Sequence, residues 1–240
     1  MNLLYSAKER PITPTQTLRL GTALFNGDHS RLADEVLHLE AAELDFIHLD
    51  VFDGHFVPDL GFPPRTIAAL RPLTSLPFEV HLGALDPLRL VPPLVEAGAD
   101  LLIVHVESVA MVYETVYAIR EAGVKVGLAL ALGTPLAHVE PVISLLDAVL
   151  LLSRVTGEGS KGAAFNPLVI PRIHSVRTLA QAAHATLDIQ VAGGVKREHV
   201  AQLVQAGATT LALGGGLYKV ADMGQEVRDI RLVAQQVHTI

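Results

Sequence analysis

The 240-residue sequence contains no cysteine, which excludes disulfides, thiolate metal sites and a cysteine nucleophile. It also lacks clusters of Lys and Arg, and its formal net charge is −7. A nucleic-acid or anionic-membrane surface would need such clusters, so neither partner is expected and any anionic ligand must be held locally. No apolar run is long enough for a bilayer: the most apolar stretch, Pro141 to Ser153, is interrupted by Asp147 and falls well short of the ~20 residues a spanning helix needs. Met1 to Pro14 carries Lys8 and Arg10 without the apolar segment of a secretory signal. Low-complexity tracts are missing too, and a cytoplasmic protein is expected.

What the chain does have is hydrophobic content of 50%, enough at this length for a large core. Residues 1–240 are expected to form one domain, with 1–16 set apart as an N-terminal extension. Short apolar runs recur at Leu18–Phe25, Phe46–Phe52, Phe78–Leu82, Leu101–Val106, Lys125–Leu132, Ala148–Ser153, Ile189–Val191 and Thr210–Leu213. Between them apolar residues take helical spacing, as at Leu32, Val36 and Leu39 with Leu37 and Leu44, or at Val109, Val112, Val116 and Ile119. Strand alternating with helix predicts a parallel sheet covered by helices. Gly98, Gly123 and Gly207 punctuate the joints, each supplying a left-handed turn that ends a helix and starts a strand. Eight such units in a chain of this length predict an α/β fold of the (β/α)₈ barrel class. The absence of a Gly-x-Gly-x-x-Gly turn after the first strand counts against an open doubly wound sheet.

A barrel of this kind carries its active site at the C-terminal ends of its strands. In the second run His48 and Asp50 are two apart, so both point to one face, the barrel interior. The third run adds His81 and the fourth His105 with Glu107. Burying an imidazole and a carboxylate among aliphatic side chains is costly unless a partner or a metal satisfies them. His48, Asp50 and His81 make a ligand set suited to zinc, iron, manganese or cobalt with an open position. The alternative is a metal-free hydrogen-bonded cluster. His105 and Glu107 are auxiliary candidates that suit a supporting shell.

Glycines gather after the last three strands. Gly157, Gly159 and Gly162, with Glu158 and Lys161, follow the sixth; Gly193 and Gly194 follow the seventh; Gly214, Gly215 and Gly216 follow the eighth. Loops there hold phosphate through backbone N–H groups in many barrels. Gly157, Gly159, Gly193, Gly194, Gly214 and Gly215 are therefore the phosphate-binding candidates, with Lys161 as an added charge.

From about Leu20 to Tyr218 the chain resembles the ribulose-phosphate 3-epimerase family. The resemblance is carried by the run from His48 through Asp50, Asp53 and His55 to Pro58, and by Val80-His81-Leu82, His105 with Glu107, Gly133 to Leu136, and Val191 to Val195. It implies a (β/α)₈ barrel, a divalent metal, and inversion next to the carbonyl of a phosphorylated ketose through an enediolate. Asp50 corresponds to a catalytic carboxylate and metal ligand, and His48 and His81 to further ligands. The family's second carboxylate, at the end of the seventh strand, corresponds to Ala192. Other departures are Ala23 for a serine, Ala131 for an asparagine, Phe52, Gly83 and Leu152 for methionines, and an altered, longer loop at Val155–Gly162. The expected protein is an isomerase and homo-oligomer acting on a sugar phosphate. A related lyase or aldol-type enzyme and a non-catalytic sugar-phosphate-binding barrel are the alternatives.

Overall fold

Each of the apolar runs becomes a parallel strand, and the strands close on themselves in chain order. The computed structural model describes residues 18–155 and 164–237. Its strands are β1 (Arg19–Ala23), β2 (Phe46–Phe52), β3 (Phe78–Gly83), β4 (Leu101–His105), β5 (Lys125–Leu130), β6 (Ala148–Leu152), β7 (Asp188–Ala192) and β8 (Thr210–Leu213). Closure is made by β1 against β8, with Arg19 opposite Thr210 and Leu20 opposite Leu211.

The strand ends differ from expectation where the chain finds other partners. The first run stops at Ala23, and Leu24–Asn26 tightens into a 3₁₀ turn. The fourth stops at His105, before the 3₁₀ turn Val106–Ser108. The fifth stops at Leu130 because the Ala131 N–H leaves the ladder and donates to Glu107 Oε1 at 2.8 Å. The seventh is longer than expected and runs to Ala192.

Helices α1 (Leu32–Ala41), α2 (Pro64–Leu70), α3 (Val91–Glu96), α4 (Val112–Glu121), α5 (Val169–Ala182), α6 (Arg197–Ala206) and α7 (Met223–Val237) lie between and after the strands. Only β5 and β6 are joined without an α-helix, by the 3₁₀ turns Leu136–His138 and Glu140–Leu145. Pro135 and Pro141 stand at the starts of these turns, where each lacks the N–H a continuing helix would use. Val36 and Leu39 form the buried stripe of α1, whereas Leu37 is half exposed. Gly98, Gly123 and Gly207 have φ of 93°, 86° and 112°, so the left-handed joints form as the spacing predicts.

The outward faces of the strands pack against the helices in one large core. The inward faces are of two kinds. Phe46, Ile103, Leu150, Ala192 and Ala212 belong to a small apolar cluster inside the barrel. Near the strand starts the interior is ionic instead: Arg19 pairs with Glu79 Oε1 and with Asp188 Oδ2, each at 2.7 Å, and Gln190 Nε2 donates to Glu79 Oε2 at 3.0 Å. Glu79 is only 2% exposed, and burial pushes its pKa up despite Arg19 and Gln190. Among the described residues no helix is long and apolar enough to cross a membrane.

Candidate active site

The strand-two end is held by its own loop before any ligand chemistry is considered. Beyond Phe52 the chain turns back so that Asp53 bridges Leu60, the Gly61 N–H donates to Phe52 O at 3.1 Å and the Phe62 N–H to Asp50 O at 2.8 Å. Asp53 ties the turn together: Oδ1 accepts from the N–H groups of His55 and Phe56, and Oδ2 from Leu85, each at 2.8 Å. A Cβ on Gly61 would lie 2.3 Å from Phe52 N and 2.4 Å from Asp50 O, so only glycine fits this close approach. The brace fixes Asp50 on the barrel axis side of β2.

His48 and Asp50 point inward from β2, and the β2–β3 register sets His81 opposite Asp50. Asp50 Oδ1 lies 3.4 Å from His48 Nε2 and 3.0 Å from His81 Nδ1. The three donor atoms all fall within 4.8 Å of one another, the one such His or carboxylate group among the described residues. The expectation that these side chains converge at the C-terminal face is met.

Charge favours a cation in this cluster. Burial would raise the Asp50 pKa, but His48 and His81 outweigh it and hold the carboxyl well below the usual range, so it is ionised. Burial, together with the neighbouring His105 and His48, lowers His81 to about 4 despite Asp50, which leaves a neutral imidazole with a free lone pair. At His48 burial works downward, yet Asp50 and Glu79 outweigh it and the pKa is raised. His48 Nδ1 is buried with no partner among the described residues, while Nε2 is the nitrogen turned to Asp50. The Asp50 carboxylate and the neutral His81 imidazole offer lone pairs to a divalent cation, and His48 Nε2 adds a third once its proton is given up.

His105 and Glu107 stand behind His81. His81 Nε2 meets His105 Nε2 at 2.8 Å, and His105 Nδ1 meets Glu107 Oε2 at 2.9 Å. Glu107 Oε1 accepts from the Ala131 N–H and from the Thr134 hydroxyl. Burial acts against ionisation of Glu107, but these bonds prevail and lower its pKa to about 2. A carboxyl with a depressed folded-state pKa contributes stability that is complete above its unfolded value and lost as pH falls through the folded one. Wild-type protein should therefore lose folding stability between pH 4.5 and about 2. The Glu107→Gln variant should show a shallower slope in that window, measured by urea unfolding at each pH; equal slopes would discount the pairing.

The glycine turns also meet. Gly193 and Gly194 have φ of 104° and 69°, and a Cβ on Gly214 would lie 4.0 Å from Gly194 N. Among the described residues the N–H groups of Gly193, Gly194 and Gly215 donate to no protein acceptor, which leaves them available to an anion. Ser153 ties β6 to this turn by donating to the carbonyls of Ala192 and Gly193. Gly157, Gly159 and Lys161 lie outside the described residues, as does Glu158.

Ala192 ends β7 inside the barrel at 9% exposure and belongs with Leu152 and Ala212 to the small apolar cluster. That side of the mouth presents methyl and isobutyl groups where the opposite side presents imidazoles and carboxylates. Several residues of the site escape a reading of the sequence. Thr134 and Arg172 flank Glu107 and Ala131, with Arg172 Nη2 donating to Ala131 O at 3.2 Å. Asn26 stands at the end of the β1 turn within 3.0 Å of where a Cβ on Gly215 would be. The Asp53-Gly54 pair was a legible signal for the brace, since Asp so placed caps the backbone two residues on. Nothing local marks Arg172 or Asn26.

Comparison with known proteins agrees with this geometry. Residues 19–218 match the Ribulose-phosphate 3 epimerase family. The Ribulose-phosphate 3-epimerase of Bacillus subtilis is 36% identical over 215 residues, covering 89% of this chain and 98% of that protein. The protein of the same name from Synechocystis is 33% identical over 219 residues, covering 90% and 94%. A mutant tryptophan synthase alpha-subunit from Pyrococcus furiosus superposes with a TM-score of 0.64 at 17% identity, over 94% of this chain and 98% of that one, and shares the fold alone. With the match spanning the whole barrel and both strand-end clusters, the chain belongs to the ribulose-phosphate 3-epimerase family.

Proposed function

We propose that this protein is an isomerase that inverts the carbon beside the carbonyl of a phosphorylated pentulose, with ribulose 5-phosphate as the substrate to test. The observation that carries the reading is the convergence of His48, Asp50 and His81 at the C-terminal barrel face of a chain in this family. Family membership favours it over the lyase, aldol-type and non-catalytic alternatives.

Asp50 is the group that removes the proton from one face of that carbon, because it is ionised, nearly buried and fixed at its strand end by the 53–62 brace. His48, Asp50 and His81 would hold a divalent cation, of which zinc, iron, manganese and cobalt suit the donors. When bound, it supplies positive charge for the oxygens that become anionic as the proton leaves carbon. The N–H groups of Gly193, Gly194, Gly214 and Gly215 take the phosphate, with Gly157, Gly159 and Lys161 of the strand-six loop as further contacts.

Inversion needs a proton on the opposite face, where the family pattern has a carboxylate and this chain has Ala192. Glu107 does not fill that role, since His105, Ala131 and Thr134 already occupy both of its oxygens. The second proton then comes from Glu158, Lys161 or water. Wild-type protein in D₂O should exchange the carbon 3 hydrogen of ribulose 5-phosphate faster than it forms the 3-epimer, both followed by NMR. Absence of exchange would remove the proposal. Inversion at an ordinary rate, on the order of 10 per second, would instead show that another group delivers the second proton efficiently.

Ala192→Asp supplies both a fourth potential ligand and an acid on the second face. The expected results are tighter Zn²⁺ binding and a higher ratio of inversion to exchange. A variant that remains folded with both quantities unchanged would show that the strand-seven end does not face the reacting carbon.

A further inference from the structure

We propose that His105 and Glu107 are positioning residues that fix the tautomer of His81, aiming its Nδ1 lone pair into the cation site. The proposal rests on the reading that His48, Asp50 and His81 hold a divalent cation. It follows from counting protons along a chain of groups whose two ends are both acceptors.

The far end is Glu107. Its Oε1 accepts from the Ala131 N–H and the Thr134 hydroxyl, so the carboxylate cannot turn away, and its Oε2 faces His105 Nδ1 at 2.9 Å. An ionised carboxylate only accepts, so His105 Nδ1 must carry the hydrogen. With one proton on that ring, His105 Nε2 is bare. The nitrogen opposite it at 2.8 Å, His81 Nε2, must then be the donor. With one proton on His81 as well, Nδ1 is left bare 3.0 Å from Asp50 Oδ1. Two acceptors at that distance repel unless a cation lies beside them.

The opposite arrangement fails at the other end. A hydrogen on His81 Nδ1 would satisfy Asp50, but His105 would then donate from Nε2 and turn a bare Nδ1 to the Glu107 carboxylate. His105 is 1% exposed, so no solvent contact relieves that clash. The charge of Glu107, at the barrel rim, thus selects a tautomer two rings away.

Glu107→Gln tests this because it is isosteric and reverses the polarity of the chain. The amide oxygen takes the place of Oε1 against the Ala131 N–H, which brings the NH₂ group against His105 Nδ1 as a donor. Both rings then exchange tautomers, and His81 Nδ1 becomes protonated. Two measurements on the protein read the result: Zn²⁺ affinity by competition with a chelator, and ring nitrogen shifts of ¹⁵N-labelled protein by NMR at saturating Zn²⁺, where the cation takes the place of a second proton on His81. Glu107→Gln should weaken Zn²⁺ binding by about 10- to 100-fold. It should also move the His81 hydrogen from Nε2 to Nδ1, which a merely structural role for Glu107 would not do.

A second pair of variants keeps the test decisive if Glu107→Gln folds poorly. His105→Gln can still accept from His81 and donate to Glu107, so it should keep Zn²⁺ affinity within a few-fold, whereas His105→Leu should lose it by the same ~10- to 100-fold. Unchanged affinity and an unchanged His81 tautomer in Glu107→Gln would overturn the proposal, as would equal affinities for His105→Gln and His105→Leu. If the wild type takes up no Zn²⁺, the cation reading itself falls. The tautomer proposal then falls with it, whereas Zn²⁺ uptake by the wild type with unchanged affinity in Glu107→Gln overturns the positioning role alone.

Discussion

Asp50→Asn is expected to lower turnover of ribulose 5-phosphate by about 10²- to 10⁴-fold, the range that a positioned general base contributes. The substitution keeps the size of the side chain and leaves the Phe62 N–H bond to the backbone carbonyl of residue 50 untouched. What it removes is the anion that His48 and His81 hold ionised. An amide cannot take a proton from carbon, and it is a weaker ligand than a carboxylate. Exchange of the carbon 3 hydrogen should therefore fall together with inversion, and Zn²⁺ uptake should weaken in the same protein. A variant that loses Zn²⁺ binding but exchanges the hydrogen at the wild-type rate would move the proton-transfer role to another residue.

Arg19→Met is expected to lower stability by about 3 to 5 kcal/mol. Arg19 is the cation that neutralises Glu79, and it also spans to Asp188 and lies over the Phe46 ring at 5.1 Å to the centroid. Met would leave a carboxylate at 2% exposure with Gln190 as its one remaining hydrogen-bond partner among the described residues. In a chain of this size the loss corresponds to a Tm lower by roughly 6 to 20 °C. Adding Glu79→Gln to Arg19→Met should restore much of it, since the cost lies in the unpaired buried charge. A double variant no more stable than Arg19→Met would assign the effect to lost packing on Phe46 instead.

The barrel was legible in the sequence because its signals are local. Eight apolar runs mark strands, and Gly98, Gly123 and Gly207 mark left-handed joints that need no tertiary contact to be recognised. The His48–Asp50 pair was equally legible, since a spacing of two in a strand dictates a shared face. The ionic layer beneath it was not. Arg19 and Glu79 are separated by 60 residues and Glu79 and Gln190 by 111, so only barrel closure brings them together. His105 and Glu107 were visible as a pair, but their direction was not. Glu107 sits in a 3₁₀ turn past the end of β4, and the bonds that orient it come from Ala131 and Thr134 on the connection between β5 and β6.

The mouth of the barrel is divided into two unlike halves. Its titratable donors come from β2, β3 and the end of β4, while β6, β7 and β8 offer Leu152, Ala192, Ala212 and backbone turns. The first half is a rigid circuit in which each group fixes the next, so a substitution at any member disturbs the others. The second half is tied through backbone carbonyls, which accept from Ser153, and the side chain at position 192 takes no part in that tie. Exchanging the side chain at position 192 breaks no hydrogen bond made by a side chain, so acid chemistry can be added there or taken away without dismantling the charged circuit opposite. A barrel arranged in this way can change its reaction outcome through one socket while its ligand-holding wall stays constant.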